Sequence, residues 1–573
     1  DHRDLHSFPT RRSSDLNALY EVVKKLNENN NLDFIYSDED KIDEDGQNRH
    51  MPHFKPDWSP DTFMSFMYTS HLGVYRKSLV DEIGGLRPGF EGAQDYDLTL
   101  RFTEKTDRIA HIPKVLYHWR ETEKSTAGSV GTKPYILDAT IKAKEEALKR
   151  RGIDAKLELV AELNQFRIKY EIKDNPLVSI IIPSKDNYEI LKRCLQSLDK
   201  ITGYKNYEII LVDNGSNDEN KKLYTELSEQ YRAKYIYEKM DFNFSRMCNI
   251  GAQNANGGYL LFLNDDTEII ETEWLERMLG QAEQKHTGAV GAKLYYPDRV
   301  NIQHIGVIKP KVGPAHAFGG CDDSKVYYFG RNRMDYNYVA VTAACLLVAT
   351  YKFQEIEGFN EELAVAYNDV DLCFKLVEHG YYNVVRNDAV LIHHESVSRG
   401  YDFEDYDKIQ RLMSEQKRLY KMHPTLAIDP FYNINLSQIG VDFSLNIEDK
   451  KEEYNSFTEG SIDNKGEEEA VWSLDLVRIV QSVYIYGWAY LKDYKKNNDL
   501  DTKIILYNDK HSYIISTDKI YRPDVAESHR ADKNIEFTGF RGEVLRENLE
   551  RGSYKIDIVC KRRRIVTEKE IEI

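Results

Sequence analysis

The chain has 573 residues, enough for about three or four domains, and its formal charge of −17 argues against a nucleic-acid-binding surface, which would be basic. No apolar run in the sequence reaches the roughly 18 residues that span a bilayer, so we expect a cytoplasmic protein with at most peripheral membrane association. Six scattered cysteines without C-x-x-C pairs indicate reduced core residues rather than disulfides or zinc ligands.

The N-terminal part of the chain divides into three predicted segments. Residues 1–16 lack an apolar segment and a helical period, so we expect a non-native-looking leader outside the fold. Residues 17–132 contain a strand that ends in Asp38-Glu39-Asp40, followed by the motifs QDYD at 94–97 and LYHWR at 116–120. Residues 133–174 are predicted to be a helical connector, with a charged helix at Ile136–Lys149.

Residues 175–440 alternate apolar strands with helical segments. Strands are predicted at Val178–Ile182, Tyr207–Val212 and Gly257–Leu263, and an amphipathic helix at Tyr188–Leu198 follows the first strand. This alternation is typical of an α/β fold with a doubly wound sheet, in which ligands bind beyond the carboxyl ends of the strands. No G-x-G-x-x-G motif and no Walker A loop is present, which disfavours a dinucleotide site or a P-loop.

The third of these strands ends in an acidic turn, Asn264-Asp265-Asp266. Paired carboxylates at a strand end suit a hard divalent cation, Mg²⁺ or Mn²⁺, that also holds a diphosphate. For these residues taken alone, an acidic helix N-cap is an equally good interpretation.

Five motifs that follow one another in residues 175–435 resemble the family 2 glycosyltransferases of the GT-A fold. They are PLVSIIIPSKDN, IILVDNGSND, FNFSRMCNIGAQNANGGYLLFLNDDTEI, AYNDVDLCFKL and VLIHHESVSRG. The resemblance implies a metal-dependent enzyme that moves a sugar from a nucleotide-diphosphate donor to a glycan or lipid-linked glycan. It also implies a role in a bacterial surface polysaccharide, such as a capsule or an O-antigen, with partner glycosyltransferases.

The resemblance also implies the residues that bind the donor and the metal ion. Asp266 and His393 would hold Mn²⁺ or Mg²⁺, and Asp265 would face the donor sugar or ribose. Asn264 departs from the D-x-D pattern of the family. The first two strand ends and the FNFSR motif would contact the nucleotide through Pro183, Ser184, Asp186, Asp213, Asn214 and Arg246.

The resemblance assigns the general base to Asp369. Asp371 lies two residues further along a predicted helix and therefore on another face, which suggests a structural role. With no second carboxylate placed as a nucleophile, we expect an inverting displacement. Asp213 is expected to accept from the imide N–H of a pyrimidine, which favours a UDP- or dTDP-linked donor. The acceptor side is expected around Val341–Cys345 and His316.

Residues 17–132 resemble the C-terminal half of a second family 2 domain. In this interpretation Asp38-Glu39-Asp40 matches the D-x-D turn, QDYD matches NDVD at 368–371, and His118 matches His393. No nucleotide-binding strand precedes the first of these motifs, so we expect a catalytically silent half-domain. A chain that starts near Asn175 would then keep all transfer activity.

The C-terminal region changes character. Residues 441–470 are polar and acidic, which indicates a linker, and residues 471–573 contain short alternating runs typical of a small β-sandwich. Tyr484, Tyr486 and Trp488 alternate on one face; we interpret them as core residues, with stacking on sugar rings as the alternative.

Two other functions remain to be weighed. A nucleotidyltransferase would need a basic triphosphate loop after the first strand, and PSKD at 183–186 offers a single lysine. The alternative to an active enzyme is a decayed fold that serves as a sugar- or nucleotide-binding scaffold in a glycan assembly complex.

Overall fold

The chain divides into two compact units, residues 1–443 and 444–573. The computed structural model describes residues 12–573 apart from 45, 47, 122–133, 311–312, 395–405, 439, 447–456, 461–468, 480–481, 493, 521, 523–524, 527–534 and 536. Residues 1–11 of the expected leader and most of the expected acidic linker therefore lie outside the described residues. No helix in the described part of the chain is long and apolar enough to cross a membrane.

Residues 12–120, here called the front segment, form a five-stranded sheet with helices beside it. Its elements are β1 (Arg12–Ser14), α1 (Ala18–Glu28), β2 (Phe34–Ile42), β3 (Arg49–His53), α2 (Pro60–Ser65), β4 (Gly73–Tyr75), α3 (Lys77–Glu82), α4 (Gln94–Thr103) and β5 (Ile109–Arg120). The strand order is β1-β5-β2-β3, and β4 also pairs with β2. Part of the expected leader, Arg12–Ser14, is thus an edge strand beside β5.

A helix and a hairpin connect the front segment to the larger sheet. They are α5 (Pro134–Arg150), β6 (Ala155–Val160) and β7 (Gln165–Tyr170). The predicted helix at Ile136–Lys149 is confirmed and extends by two residues at its N-terminal end and one at its C-terminal end.

The central sheet has ten strands and is built from residues 178–393. Its elements and those that follow it are β8 (Val178–Ser184), α6 (Tyr188–Ile201), β9 (Tyr207–Asp213), α7 (Asp218–Tyr231), β10 (Lys234–Tyr237), α8 (Phe244–Gln253), β11 (Tyr259–Leu263), β12 (Thr267–Ile269), α9 (Trp274–Ala282), β13 (Thr287–Tyr295), β14 (Ile302–His304), β15 (Val307–Ile308), β16 (Ala315–His316), β17 (Tyr336–Tyr338), β18 (Cys345–Ala349), α10 (Thr350–Glu355), α11 (Asn368–Glu378), β19 (Tyr382–His393) and α12 (Tyr406–Met422).

The strand order of this sheet is β10-β9-β8-β11-β18-β13-β19-β12, with β14 and β17 paired to β13 and β19. The first four strands run parallel, and the direction changes at β18, which is antiparallel to both of its neighbours. Strand β8 is buried along its whole length, as expected for an apolar, β-branched strand with helices on both faces. The predicted α/β class and the GT-A type of doubly wound sheet are confirmed.

Unit 444–573 is the predicted sandwich of two antiparallel sheets. Its strands are β20 (Phe457–Glu459), β21 (Ala470–Ile479), β22 (Ser482–Leu491), β23 (Thr502–Tyr507), β24 (Ser512–Ser516), β25 (Asp518–Ile520), β26 (Gly539–Leu545), β27 (Ser553–Cys560) and β28 (Arg563–Glu572). Val483 and Ile485 pack on Ile504 and Ile556 of the other sheet. Because side chains alternate along a strand, Tyr484, Tyr486 and Trp488 lie on the face of β22 opposite Val483 and Ile485. Tyr484 is buried, as the interpretation as core expects, whereas Tyr486 and Trp488 are half-buried.

The front segment packs on the central sheet within the same compact unit. The buried Asp61 carboxylate of α2 accepts hydrogen bonds from Gln281 (2.8 Å) and Asn337 (2.7 Å) and contacts His286 (2.9 Å). Asp57 N donates to Pro430 O at 2.8 Å. These polar contacts join residues more than 200 positions apart in sequence, so the front segment is part of the central-sheet structure rather than an independent body.

Candidate active site

The carboxyl ends of β8, β9 and β11 come together at one edge of the central sheet because the three strands are parallel neighbours. Ser184 ends β8, and its hydroxyl donates to Asp265 Oδ2 at 2.6 Å. Asn214 N, just beyond β9, donates to Ser184 O at 3.1 Å. The three strand ends are therefore linked directly to one another by hydrogen bonds.

Asp265 and Asp266 of the acidic turn are both buried, and Asp265 faces the end of β8. Burial, together with the neighbouring Asp266 carboxylate, raises the pKa of Asp265 to about 6. Its Oδ2 also lies 3.4 Å from Asn187 Nδ2, which donates to it. Asp265 is held by two polar groups from the β8–α6 turn and so connects the end of β11 to that turn.

Asp266 faces His393 at the end of β19. His393 Nε2 lies 3.0 Å from Asp266 Oδ1 and 3.3 Å from Asn264 Nδ2. The other ring nitrogen, Nδ1, lies 2.7 Å from Gln303 Oε1. The structure thus brings the two predicted metal ligands together, although they are 127 positions apart in the sequence.

The Asp266–His393 pair fits a divalent cation. Two ligand atoms at right angles, each about 2.1 Å from an octahedral ion, would be about 3.0 Å apart, which is the observed separation. Oxygen and imidazole ligands together suit Mn²⁺ and are acceptable for Mg²⁺. Among the described residues no group of three or more His, Cys, Asp or Glu could hold a metal. The pair would need further ligands from a bound diphosphate and water.

Asp369 lies in the first turn of α11 and is half-buried. Its Oδ2 accepts a hydrogen bond from Ala343 N at 3.0 Å. The next residue of that loop, Ala344, accepts from Asn264 N at 3.1 Å. The loop 342–344 therefore connects the predicted base to the acidic turn, and this is the segment that the sequence placed on the acceptor side.

Asp371 has a different environment from Asp369. It is buried, its Oδ1 lies 3.0 Å from His423 Nε2, and its Oδ2 lies 3.5 Å from Lys375 Nζ. The Lys375 contact lies within α11, and the His423 contact holds α11 to the end of α12. They agree with the structural role that its position on the helix suggested.

Two carboxylates that were predicted to contact the nucleotide, Asp213 and Asp186, accept hydrogen bonds from other residues of the chain. Asp213 accepts from Ser216 N (2.8 Å) and from Tyr235 OH (2.5 Å). Asp186 Oδ1 accepts from the backbone and side chain of Asn217 and from Asn220. Both carboxylates stabilise the turns that follow β8 and β9.

Asn214, unlike Asp213 and Asp186, makes no side-chain hydrogen bond with the described residues. It is fully buried, and neither Oδ1 nor Nδ2 of its amide has a hydrogen-bond partner among the residues that the structure describes. A buried polar group without a partner is costly, so it calls for an explanation such as a ligand.

The other two residues predicted to contact the nucleotide differ in exposure. Pro183 is buried in β8, and Arg246 is exposed at the start of α8.

Strand pairing corrects one part of the sequence interpretation. β2 pairs in parallel with β5 and antiparallel with β4, as β13 pairs in parallel with β19 and antiparallel with β18. Asp40, at the end of β2, lies beside His118 on β5. The end of β13 lies beside the end of β19 in the same way, so β2 corresponds to β13 and not to β11. The match of Asp38-Glu39-Asp40 to the D-x-D turn, which follows β11, is wrong.

The acidic residues of the front segment are satisfied within the chain. Asp38 accepts from Lys55 N and Asn433 Nδ2 and contacts His111, and Asp40 Oδ2 is bound by Arg49 Nε at 2.6 Å. Burial opposes protonation of His111, but the carboxylates of Asp38 and Asp57 raise its pKa overall. The cluster has the features of a structural ion-pair network.

Sequence reasoning missed Gln303, which contacts His393, and His304, whose Nε2 accepts from Thr342 N at 3.4 Å. The His304 and His316 rings lie 4.8 Å apart, so the expected acceptor loop does approach the 342–344 loop. The signal in the sequence was a pair of adjacent polar residues, QH, within the apolar run from Ile302 to Ile308.

Residues 179–346 match the family model described as glycosyl transferase family 2. This match identifies a glycosyl transferase family 2 domain at residues 179–346. The matched residues include most of β8, all of β9 and β11, and the acidic turn, whereas Asp369 and His393 lie beyond the match.

Two curated relatives extend this similarity. The uncharacterized protein y4gI of Sinorhizobium fredii is 40% identical over 440 residues, covering 75% of this chain and 48% of the relative. The O-antigen biosynthesis protein RfbC of Myxococcus xanthus is 36% identical over 388 residues, covering 67% of this chain and 30% of the relative. The chain spans less than half the length of each.

Among solved structures, a mannosyltransferase from Pyrobaculum calidifontis, in complex with GDP-Man and Mn²⁺, aligns with a TM-score of 0.33 and 16% identity. The alignment covers 43% of this chain and 64% of that chain. The assignment of the fold therefore depends on the strand order and on the family match.

Proposed function

We propose that this chain is a metal-dependent inverting glycosyltransferase that moves a sugar from a UDP- or dTDP-linked donor to a growing cell-surface polysaccharide or lipid-linked glycan. The observation that carries the proposal is the Asp266–His393 pair, 3.0 Å apart, connected through the loop 342–344 to Asp369. The printed role of the Myxococcus xanthus relative in O-antigen biosynthesis supports a polysaccharide acceptor.

In this proposal Asp266 and His393 hold Mn²⁺ or Mg²⁺, which when bound neutralises charge on the leaving diphosphate. Asp369 takes the proton of the acceptor hydroxyl while that oxygen forms its bond to C1 of the sugar and the bond to the diphosphate breaks. Ala343 N holds one Asp369 oxygen in place, which orients the carboxylate for proton transfer. General-base catalysis of this kind contributes about 10²–10⁴-fold.

The inverting outcome is supported by the positions of the other carboxylates. A retaining double displacement through the enzyme would need a second carboxylate as a nucleophile at the donor carbon. Asp265 is held by Ser184 and Asn187, and Asp371 is held by His423 and Lys375. Asp369 is half-buried and is the carboxylate of α11 that contacts the loop 342–344, where we place the base.

We assign the nucleobase contact to the Asn214 amide rather than to Asp213, since both Asp213 oxygens are engaged. An amide offers one acceptor and two donors, which match the N3–H and the carbonyl oxygen of uracil or thymine. An amide matches the N1–H and O6 of guanine as well, so UDP, dTDP and GDP must be compared directly.

The deciding experiment is calorimetric titration of the full chain with UDP, dTDP and GDP, each with and without Mn²⁺, followed by assays of donor hydrolysis and transfer. We expect one nucleoside diphosphate per chain, a requirement for Mn²⁺, and loss of turnover in EDTA. Full turnover in EDTA would contradict the proposal. Nucleotide binding without turnover of any UDP- or dTDP-sugar would favour the scaffold alternative.

A further inference from the structure

The side chain of Gln303 makes two contacts with His393. Gln303 Oε1 lies 2.7 Å from His393 Nδ1, and Gln303 Nε2 donates to His393 O at 3.4 Å. Gln303 belongs to β14, which pairs with β13, and its side chain is 2% exposed. A buried glutamine with both ends of its amide directed at one residue restricts the orientation of that residue.

The two contacts fix which ring nitrogen of His393 carries a proton. The amide nitrogen of Gln303 can only donate, and the His393 carbonyl oxygen can only accept, so the amide oxygen must face Nδ1. An amide oxygen is an acceptor, and Nδ1 must therefore be the donor. The lone pair of the neutral ring is then on Nε2, which faces Asp266 Oδ1 at 3.0 Å.

This arrangement leaves two acceptors facing each other. A lone pair on Nε2 and a carboxylate oxygen 3.0 Å apart repel one another unless a positive charge lies between them. Metal-binding histidines commonly donate their second ring N–H to a carboxylate or a carbonyl oxygen, which sets the tautomer and the ring orientation. Gln303 Oε1 is positioned to accept that bond.

We propose that Gln303 is a positioning residue that holds His393 in the Nδ1–H tautomer and aims its Nε2 lone pair at the cation shared with Asp266. This inference deepens the proposed function, because it concerns the same metal site. Gln303 also connects the site to the acceptor side, since its main-chain oxygen lies 3.0 Å from His316 Nδ1.

The test uses the full-length chain and three variants. Gln303→Leu removes the acceptor, and Gln303→Glu keeps an acceptor for Nδ1–H. Gln281→Leu is the matched control, because Gln281 is equally buried but donates to Asp61 and Thr287. Mn²⁺ affinity is measured from the electron paramagnetic resonance signal of free Mn²⁺, without donor, and folding is checked by circular dichroism.

We expect Gln303→Leu to weaken Mn²⁺ binding by about 10–100-fold, as for other residues that orient metal ligands. Gln303→Glu should stay within a few-fold of the wild type, and Gln281→Leu should bind Mn²⁺ as the wild type does. A folded Gln303→Leu protein with wild-type Mn²⁺ affinity would overturn the inference.

A second measurement needs no variant at Gln303. The ¹⁵N spectrum of metal-free wild-type protein labelled in its histidine rings reports the tautomer of His393, with His393→Gln as the assignment control. The spectrum is recorded at alkaline pH, where the ring is neutral: a proton on Nδ1 with none on Nε2 supports the inference, and a proton on Nε2 overturns it. A protein that binds Mn²⁺ with His393 in the Nδ1–H form, yet transfers no sugar, would remove the proposed function and keep this inference.

Discussion

Two pairs of nearby carboxylates define the site at the scale of single residues. Asp265 is held by Ser184, whereas its neighbour Asp266 faces His393. Asp371 is held by His423, whereas Asp369 contacts the backbone of the loop 342–344. We propose that in each pair one carboxylate stabilises the structure and the other takes part in the chemistry, so the two members of a pair should respond differently to substitution.

The first prediction concerns Asp266→Asn. We expect loss of metal-dependent turnover, because the substitution removes the negative charge of a carboxylate, the side-chain ligand through which Mg²⁺ is usually bound. Asp266 is 9% exposed and faces an imidazole. An asparagine amide can donate to that ring, so the melting temperature should be unchanged or higher. Donor turnover and thermal unfolding are measured together, and a variant with wild-type turnover would contradict the assignment.

The second prediction compares Asp369→Asn with Asp95→Asn, its counterpart in the front segment. Asp369→Asn should lower turnover by at least about 10²-fold and leave donor affinity nearly intact, because a base acts mainly in the transition state. Asp95→Asn should leave turnover unchanged. Loss of donor binding in Asp369→Asn would move this residue into the donor site.

At the scale of elements, the site depends on how α11 is held. Its N-terminal end carries Asp369, and its buried face carries Asp371, which contacts His423 at the end of α12. His423 Nδ1 also lies 2.8 Å from Glu378 Oε2. A histidine between two carboxylates is stabilised in its charged form, which makes the attachment of α12 to α11 dependent on pH.

The third prediction is the direction of that dependence. Burial lowers the pKa of His423, but hydrogen bonds and charge from Asp371 and Glu378 raise it overall. The folded pKa thus exceeds the ordinary value of about 6.5. The stabilising contribution should be complete below about pH 6.5 and lost as the pH rises through the folded pKa.

The measurement is urea unfolding of the wild type and of His423→Gln between about pH 5.5 and pH 9. The difference in midpoint between the two proteins should be largest at low pH and should shrink as the pH rises. His379→Gln, an exposed histidine one turn beyond Lys375, is the control and should leave the pH dependence of the wild type in place. A difference that grows with pH would refute the sign.

At the scale of the whole molecule, the front segment is a structural part of unit 1–443. Asp61 is 3% exposed, and all of the side-chain donors and ring contacts described for its carboxylate come from the central-sheet half of the unit. Ser65 Oγ adds a bond to Asp335 O at 2.9 Å. The expectation that a chain starting near Asn175 keeps full activity is therefore revised, because such a chain would expose these buried groups.

The fourth prediction is that Asp61→Ala destabilises unit 1–443 by about 3 kcal/mol, because it leaves buried donors without their shared acceptor. Asp81→Ala is the control. Asp81 pairs with Lys77 on the surface of α3, and such pairs contribute at most about 1 kcal/mol. Chemical unfolding of both variants gives the comparison, and equal effects would show that the front segment is loosely attached.

A truncation checks the same point independently. A chain that begins at Asn175 should aggregate or unfold without a cooperative transition, since Asn337 and Gln281 lose their partner Asp61. A folded, fully active chain of this kind would restore the original expectation from the sequence.

The sequence by itself determined the elements and the order of the motifs. Strands β8, β9 and β11, helix α6 and the β-sandwich strands were predictable because periodicity and turn residues are local signals. Asp266, His393 and Asp369 were found through the resemblance to the family, and the structure places Asp266 beside His393.

Only the tertiary structure decided how distant segments meet. The pairing of β2 with β5 showed that Asp38-Glu39-Asp40 does not correspond to the D-x-D turn, because an acidic strand end has the same local pattern in either position. Gln303 and Asp61 were not predictable for a related reason. Their partners lie 90 positions away for Gln303 and more than 200 positions away for Asp61, and no local pattern encodes contacts over such separations.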